Sequence, residues 1–222
     1  MAEIFAFPAA TKPGNDAAAT GRPDGVPDDV WHAVESARAM ERVPAMRYRE
    51  MAVPVSLADF GIGVELESER RPAGGERAGD GRSGQYFGRI VNADETAHGW
   101  IMLLYSRTLR ADWRSRWRCV AFASLPLETR ERDGLTPAMY WDDMRERLAN
   151  VLPGSLGGTV TVTHSTSFGT LKGGASVGCE MRVSWTPLDN TDGGMDAGGQ
   201  IRSWARFVGS ASCDEEEPSV DR

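Results

Sequence analysis

Disulfide chemistry has little to work with in this chain. Only three cysteines are present, Cys119, Cys179 and Cys213, an odd number at long spacings. That usage fits small core residues in a reducing compartment and not a disulfide framework. No stretch approaches the roughly 18 consecutive apolar residues of a membrane span, so no membrane partner is expected. The N-terminus, Met1 to Ala10, has neither basic residues nor an apolar run of signal-peptide length, and the cytosol is the expected location. Histidine is equally sparse. His32, His98 and His164 fall in different elements, none with a second His or Cys at ligand spacing. A zinc site needs three or four converging ligands, so no metal is expected, and no motif asks for a cofactor. Excess positive charge is also missing. The net charge is −7 and the pI about 5.1, which argues against a surface built as a whole to hold nucleic acid.

What is present reads as one domain. Residues 1–26 mix Ala, Gly, Pro and Thr without a helix or strand period, as a flexible leader does. Residues 67–84 (ESERRPAGGERAGDGRSG) contain no Val, Ile, Leu or aromatic side chain. Nothing there can offset the entropy of ordering, and a mobile surface insertion is expected. Residues 212–222, with the acidic run Asp214 to Glu217, form an acidic tail. Between leader and tail, residues 27–211 are expected to form a single domain, large enough to fold on one apolar core.

The periodicities inside it alternate between helix and strand. Pro27-Asp28-Asp29 opens a helix carrying Val30, Trp31, Val34, Ala37 and Met40 on one side, ended by Val43-Pro44. From residue 45 the period falls to two, most clearly at Phe60, Ile62, Val64 and Leu66, which is a half-buried strand. Tyr86 to Val91 has the pattern of a further short strand. Trp100 to Tyr105 and Cys119 to Ala123 are continuously apolar, as central strands are. Thr136-Pro137 starts a helix whose stripe is Trp141, Met144, Leu148 and Val151, and Gly198 to Ser210 places Ile201, Trp204, Ala205 and Val208 at helical spacing.

Residues 157–187 are the clearest feature. Val160, Val162, His164, Thr166 and Phe168 share one face of a strand, and Val177, Cys179, Met181, Val183 and Trp185 share one face of the next. Pairing Phe168 with Val177 and Val160 with Trp185 puts all of them on one side, with parity fixing the register modulo two. The order is α-β-β-β(-β)-α-β-β-α. The expected fold is therefore α+β, a mostly antiparallel sheet made of a meander and a C-terminal hairpin, with helices packed on one face.

Several local patterns suggest chemistry, and most have a plainer reading. Gly174-Ala-Ser-Val-Gly178 matches the Gly-x-Ser-x-Gly of a nucleophile elbow, but here a loop precedes Ser176 and a strand follows it, the reverse of an elbow. Asp142 and Asp143 lie on the polar side of a helix, as solvated carboxylates do. Gly154 to Gly158 and Gly193 to Gly199 lack the strand-loop-helix setting of a phosphate cradle and read as turns. No catalytic residue emerges. One segment departs from the overall charge: residues 107–118 (RTLRADWRSRWR) carry five Arg against one Asp, with Trp113 and Trp117 interleaved. Arg107, Arg110, Trp113, Arg114 and Arg116 are the candidate binding residues. They could grip an acidic protein segment, or hold phosphates and stack bases. The plainer reading is an exposed sheet connection whose Trp side chains pack inward.

Gly157-Gly-Thr-Val-Thr161, Ser167-Phe168-Gly169 and Arg182-Val-Ser-Trp-Thr-Pro187, with Gly99 to Tyr105, Trp113, Arg118 to Val120 and the helix around Trp141, resemble an actinobacterial family of domains of unknown function, number 3000. The resemblance covers roughly residues 28–210 and implies a fold and a cytoplasmic setting, without catalytic residues. The element order is also similar to that of the small acidic chaperones of type III secretion. The expectation is a non-enzymatic binding or regulatory module that engages a protein or peptide partner. RNA, held by the Arg/Trp segment, is the alternative, and a small-molecule enzyme without a recognisable motif is a third. Oligomeric state is open at this level.

Overall fold

The computed structural model describes residues 22–69, 96–127, 136–166, 168, 175–189 and 194–210. In chain order the elements are α1 (Asp28–Ala39), β1 (Met46–Met51), β2 (Phe60–Ser68), β3 (His98–Arg110), β4 (Ser115–Leu127), α2 (Thr136–Arg147), β5 (Gly157–Thr166), β6 (Ala175–Trp185) and α3 (Ala197–Ser210). The strands form one sheet in the order β1-β2-β3-β4-β6-β5, every neighbouring pair antiparallel. This is the expected α+β fold with the expected element order. Four strands precede α2, and β1 is the first of them. Tyr86 to Val91 and the tail 212–222 lie outside the described residues.

Alternation along each strand sorts side chains onto two faces. Ile62, Val64 and Leu66 of β2, Ile101 and Leu103 of β3, Cys119, Ala121, Ala123 and Leu125 of β4, and Cys179, Met181, Val183 and Trp185 of β6 all enter the main core, each at most 3% exposed. The helices cover this face. α1 contributes Val30, Ala33, Val34 and Ala37, α2 contributes Met144, and α3 contributes Ile201, Trp204, Ala205, Phe207 and Val208. The opposite face carries a smaller cluster of Met102, Leu104 and Trp113, partly covered by Met51, Val53 and Ala58. Two segment boundaries shift from the sequence reading. Val26, assigned to the leader, is 3% exposed and joins the core. Glu67 and Ser68, assigned to the insertion, continue β2, opposite His98 and Met46 respectively.

α3 is the most deeply set helix. Asp196 caps its N-terminus, accepting from the Gly199 amide at 2.8 Å, as a short acidic side chain does for an orphan donor. Ser36 of α1 reaches the same carboxylate at 2.8 Å and accepts from the Gly198 amide at 3.0 Å. Helices α1 and α3 come so close here that a Cβ on Gly198 would lie 2.5 Å from the Ser36 carbonyl oxygen. Further along, the Trp185 indole donates to Gln200 Oε1 at 2.7 Å, and Gln200 Nε2 donates to the Ala149 carbonyl at 3.1 Å. Gln200 is 1% exposed, and with a longer contact from Nε2 to the Asn150 carbonyl at 3.5 Å these bonds stand in for the water it gives up.

The C-terminal hairpin keeps the expected faces but not the expected register. Val160 lies opposite Met181 instead of Trp185, Val162 opposite Cys179, and His164 opposite Val177. Residues 150–155 are the cause. Val151 bridges Pro187, Leu152 and Ser155 bond to Thr186, and Leu188 donates to Asn150. That stretch occupies the place beside residues 186–188, so β5 starts at Gly157 opposite Ser184. Phe168 consequently runs past the paired region and is 79% exposed, and His164 is exposed as well. Thr159, Thr161 and Thr163 face solvent.

Two measurements check this packing. Gln200→Leu strands the Trp185 indole N–H and the Ala149 carbonyl, and should lower unfolding free energy by about 3 kcal/mol in denaturant titrations. Cys119 and Cys179 are buried thiols, and burial pushes the Cys119 thiol well above its ordinary range. The native chain should leave both unlabelled by a soluble alkylating reagent at pH 8, with mass spectrometry finding modification at these two positions only after denaturation.

Candidate functional site

The arginine-rich segment is not a loose connection. β3 runs on to Arg110 and β4 begins at Ser115, with Arg110 opposite Ser115 and the ladder shifted between Tyr105 and Arg110. The reversal occupies residues 111–114, and Arg114 closes it in the left-handed region at φ 55°. The sequence masks this hairpin because its strand ends are polar, while the apolar periodicity stops at Tyr105.

Its two tryptophans leave on opposite faces. Trp113 is 9% exposed and packs against Met102 and Leu104, with Arg110 stacked over its ring at 4.5 Å. Trp117 is 4% exposed in the main core, 4.9 Å from the Tyr105 ring. The Trp113 carbonyl accepts from buried Thr186 at 2.7 Å, which ties the turn to the end of β6. Arg118 adds three donations, to Ser155 O at 3.1 Å, Thr186 Oγ1 at 3.1 Å and Ser184 Oγ at 2.6 Å. Its partial burial pulls its acidity up from the ordinary guanidinium range. Trp113 is thus a structural anchor beneath the surface, and Arg118 a brace.

The remaining candidates line the surface and have partners there. Arg107 stacks over Phe60 at 5.0 Å and donates to Gly25 O at 3.4 Å. Arg110 pairs with Asp112 at 3.1 Å. Arg114 donates to Pro153 O at 2.8 Å, and Arg116 lies 3.6 Å from Asp29 in the first turn of α1. Asp29 also accepts from Tyr105 at 3.3 Å. Between the hairpin tip, α1 and the chain before α3 lies an open cleft of about 260 Å³, lined by Asp29, Arg114, Arg116, Trp117, Asp189 and Leu109 among others. Leu109 is 72% exposed at its rim. The structure brings Arg114 and Arg116 into this cleft and sets Arg107 and Arg110 outside its lining. Asp29, Leu109 and Asp189 were not singled out from the sequence, because nothing in their local pattern separates them from ordinary surface residues.

The other motifs resolve into scaffold. Ser176 pairs with Ser165 inside the β5–β6 ladder, so no helix follows it. Asp142 and Asp143 form surface ion pairs with Arg145 and Arg147 at 3.3 and 2.8 Å. Gly157 and Gly158 open β5, and Gly198 and Gly199 lie in the first turn of α3. Among the described residues, no three His, Cys, Asp or Glu side chains converge as a metal site would require, and no helix is long and apolar enough to cross a membrane.

The Arg110 guanidinium holds the exposed Asp112 carboxyl below its ordinary 3.8. An NMR titration of Asp112 should therefore show a depressed midpoint that rises in Arg110→Ala, the backbone amides of Asp112 and Trp113 retaining a smaller lowering effect. The pairing it reports is present above the ordinary pKa and fades as pH falls through the depressed one.

No curated protein and no solved structure matches the chain significantly. A family model described as "Protein of unknown function (DUF3000)" matches residues 26–213, a span that runs from the first core residue, Val26, past the end of α3, and the chain therefore belongs to that family.

Proposed function

We propose that this protein is a cytoplasmic, non-enzymatic binding module that engages a protein or peptide partner at the cleft beside the β3–β4 tip. The observation that carries this reading is the mixture lining that cleft: Arg114 and Arg116 together with Asp29 and Asp189, beside Trp117 and the exposed Leu109. Neighbouring charges of both signs, with an apolar rim, complement a peptide whose side chains and backbone supply both donors and acceptors. They suit a polyphosphate poorly. A nucleic acid needs uncompensated cations and accessible aromatic faces. Here Arg110 and Arg116 already face Asp112 and Asp29, and both tryptophans are buried. The RNA reading is accordingly the second one.

Affinity purification of the tagged full chain from its own cell extract, with and without ribonuclease, distinguishes the two. The expected result is a defined protein partner that survives ribonuclease, is recovered at least tenfold less with Arg114→Glu/Arg116→Glu, and binds the purified chain directly. Retention only in the absence of ribonuclease, together with RNA binding that falls steeply with salt, would instead establish the nucleic-acid reading. Recovery indifferent to the double substitution would remove the cleft from either.

A further inference from the structure

Among the described residues, the two edge strands of the sheet differ in charge content: β1 carries Arg47, Arg49 and Glu50, and β5 carries no charged side chain. β1 closes one edge with Arg47 and Arg49, whose side chains are 68% and 80% exposed and pair with Glu69 just past the end of β2 and Glu65 within it. Any two-fold pairing of β1 with a copy of itself, centred between them, would set Arg against Arg. Such like-charge opposition is a usual protection of an edge strand. β5 closes the other edge with Gly-Gly-Thr-Val-Thr-Val-Thr-His-Ser-Thr, ten residues without Asp, Glu, Lys, Arg or Pro. On its inner neighbour, Glu180 and Arg182 pair with each other at 2.9 Å, so no net charge is presented there either.

The geometry points to β5 as a self-association edge, whose occupant is β5 of a second copy of this chain, antiparallel about a two-fold axis through Val162. The alternation is self-complementary in that register. Thr161 meets the copy's Thr163, Thr159 meets Ser165, and Val160 meets His164, each pair on a matching face. An axis perpendicular to the sheet keeps the helices of both copies on one side, and the result is a continuous twelve-stranded sheet from two six-stranded ones. Centring on Val162 uses residues 158–166 in full. Phe168, just beyond β5, is 79% exposed. Met139, on the helix that packs over β5, is likewise 65% exposed. Threonine cross-strand pairs and apolar ends favour the contact, and no charge opposes it.

Sedimentation of the full chain up to about 200 μM tests this by mass action. The wild type should shift from 24.1 kDa toward twice that mass as concentration rises. Thr161→Glu/Thr163→Glu, at two exposed positions, sets like charges opposite each other and should weaken the dimer at least tenfold. Thr161→Lys/Thr163→Glu sets opposite charges across the same axis and should restore it. Hydrogen exchange on the wild type gives a readout independent of variant folding: protection of residues 157–166 should rise with concentration while β1 stays unchanged. A wild type that remains monomeric throughout, a dimer indifferent to Thr161→Glu/Thr163→Glu, or exchange in β5 that does not depend on concentration would each overturn the proposal.

Discussion

The hydrogen bond from the Trp185 indole to Gln200 is the point on which the architecture turns. A buried amide offers two donors and an acceptor, and in the absence of water each must find a fixed partner. Gln200 answers Trp185 of β6 on one side and the Ala149 carbonyl after α2 on the other. Three segments distant in sequence are thereby set in one arrangement. Trp204 extends the constraint one turn along α3, packing its ring tilted against Trp185 at 5.9 Å and donating to the Phe122 carbonyl of β4 at 3.3 Å. Apolar burial supplies most of the driving force for that helix, but apolar contacts tolerate sliding. The polar contacts do not, and they select the axial position of α3 on the sheet.

The same logic accounts for the rigidity of the hairpin tip. A long two-stranded protrusion is marginal by itself. This one is held by Trp113 folded against one face of the sheet, Trp117 against the other, and Thr186 and Arg118 joining its base to β6. Arginines that composition presents as a patch of +4 are divided by the fold into a brace, a ring-stacking pair and two cleft residues. Asp112 is already counted in that +4, and Asp29 of α1 facing Arg116 offsets one further unit of charge at short range. What the tip displays is shape and mixed polarity on a fixed frame.

Much of the fold was legible in the residues. The apolar periods of α1, α3 and β6 each named the buried face, because a period of 3.6 or 2 has one side to bury whatever lies against it. The hairpin tip was less legible. Arg107 to Arg110 have no apolar alternation, and the register shift between Tyr105 and Arg110 breaks the ladder before Arg110 meets Ser115. The cleft was not legible at all beyond Arg114 and Arg116. Asp29 enters from α1, Asp189 from the chain after β6, and only the folded chain brings them within one 260 Å³ space.

The β5–β6 hairpin divides the two kinds of information most clearly. Sequence by itself determined that Val160 and Val162 share a face with Cys179, Met181, Val183 and Trp185, since a slip of one residue would turn that set to water. Slips of an even number keep the faces, and no local pattern chooses among them. Tertiary structure made the choice: residues 150–155 claimed the backbone of Thr186 and its neighbours, Trp185 was already committed to Gln200, and β5 had to begin opposite Ser184. Faces are a property of a strand and can be read from it. Register is a property of the competition for backbone partners, which exists only once the chain has closed.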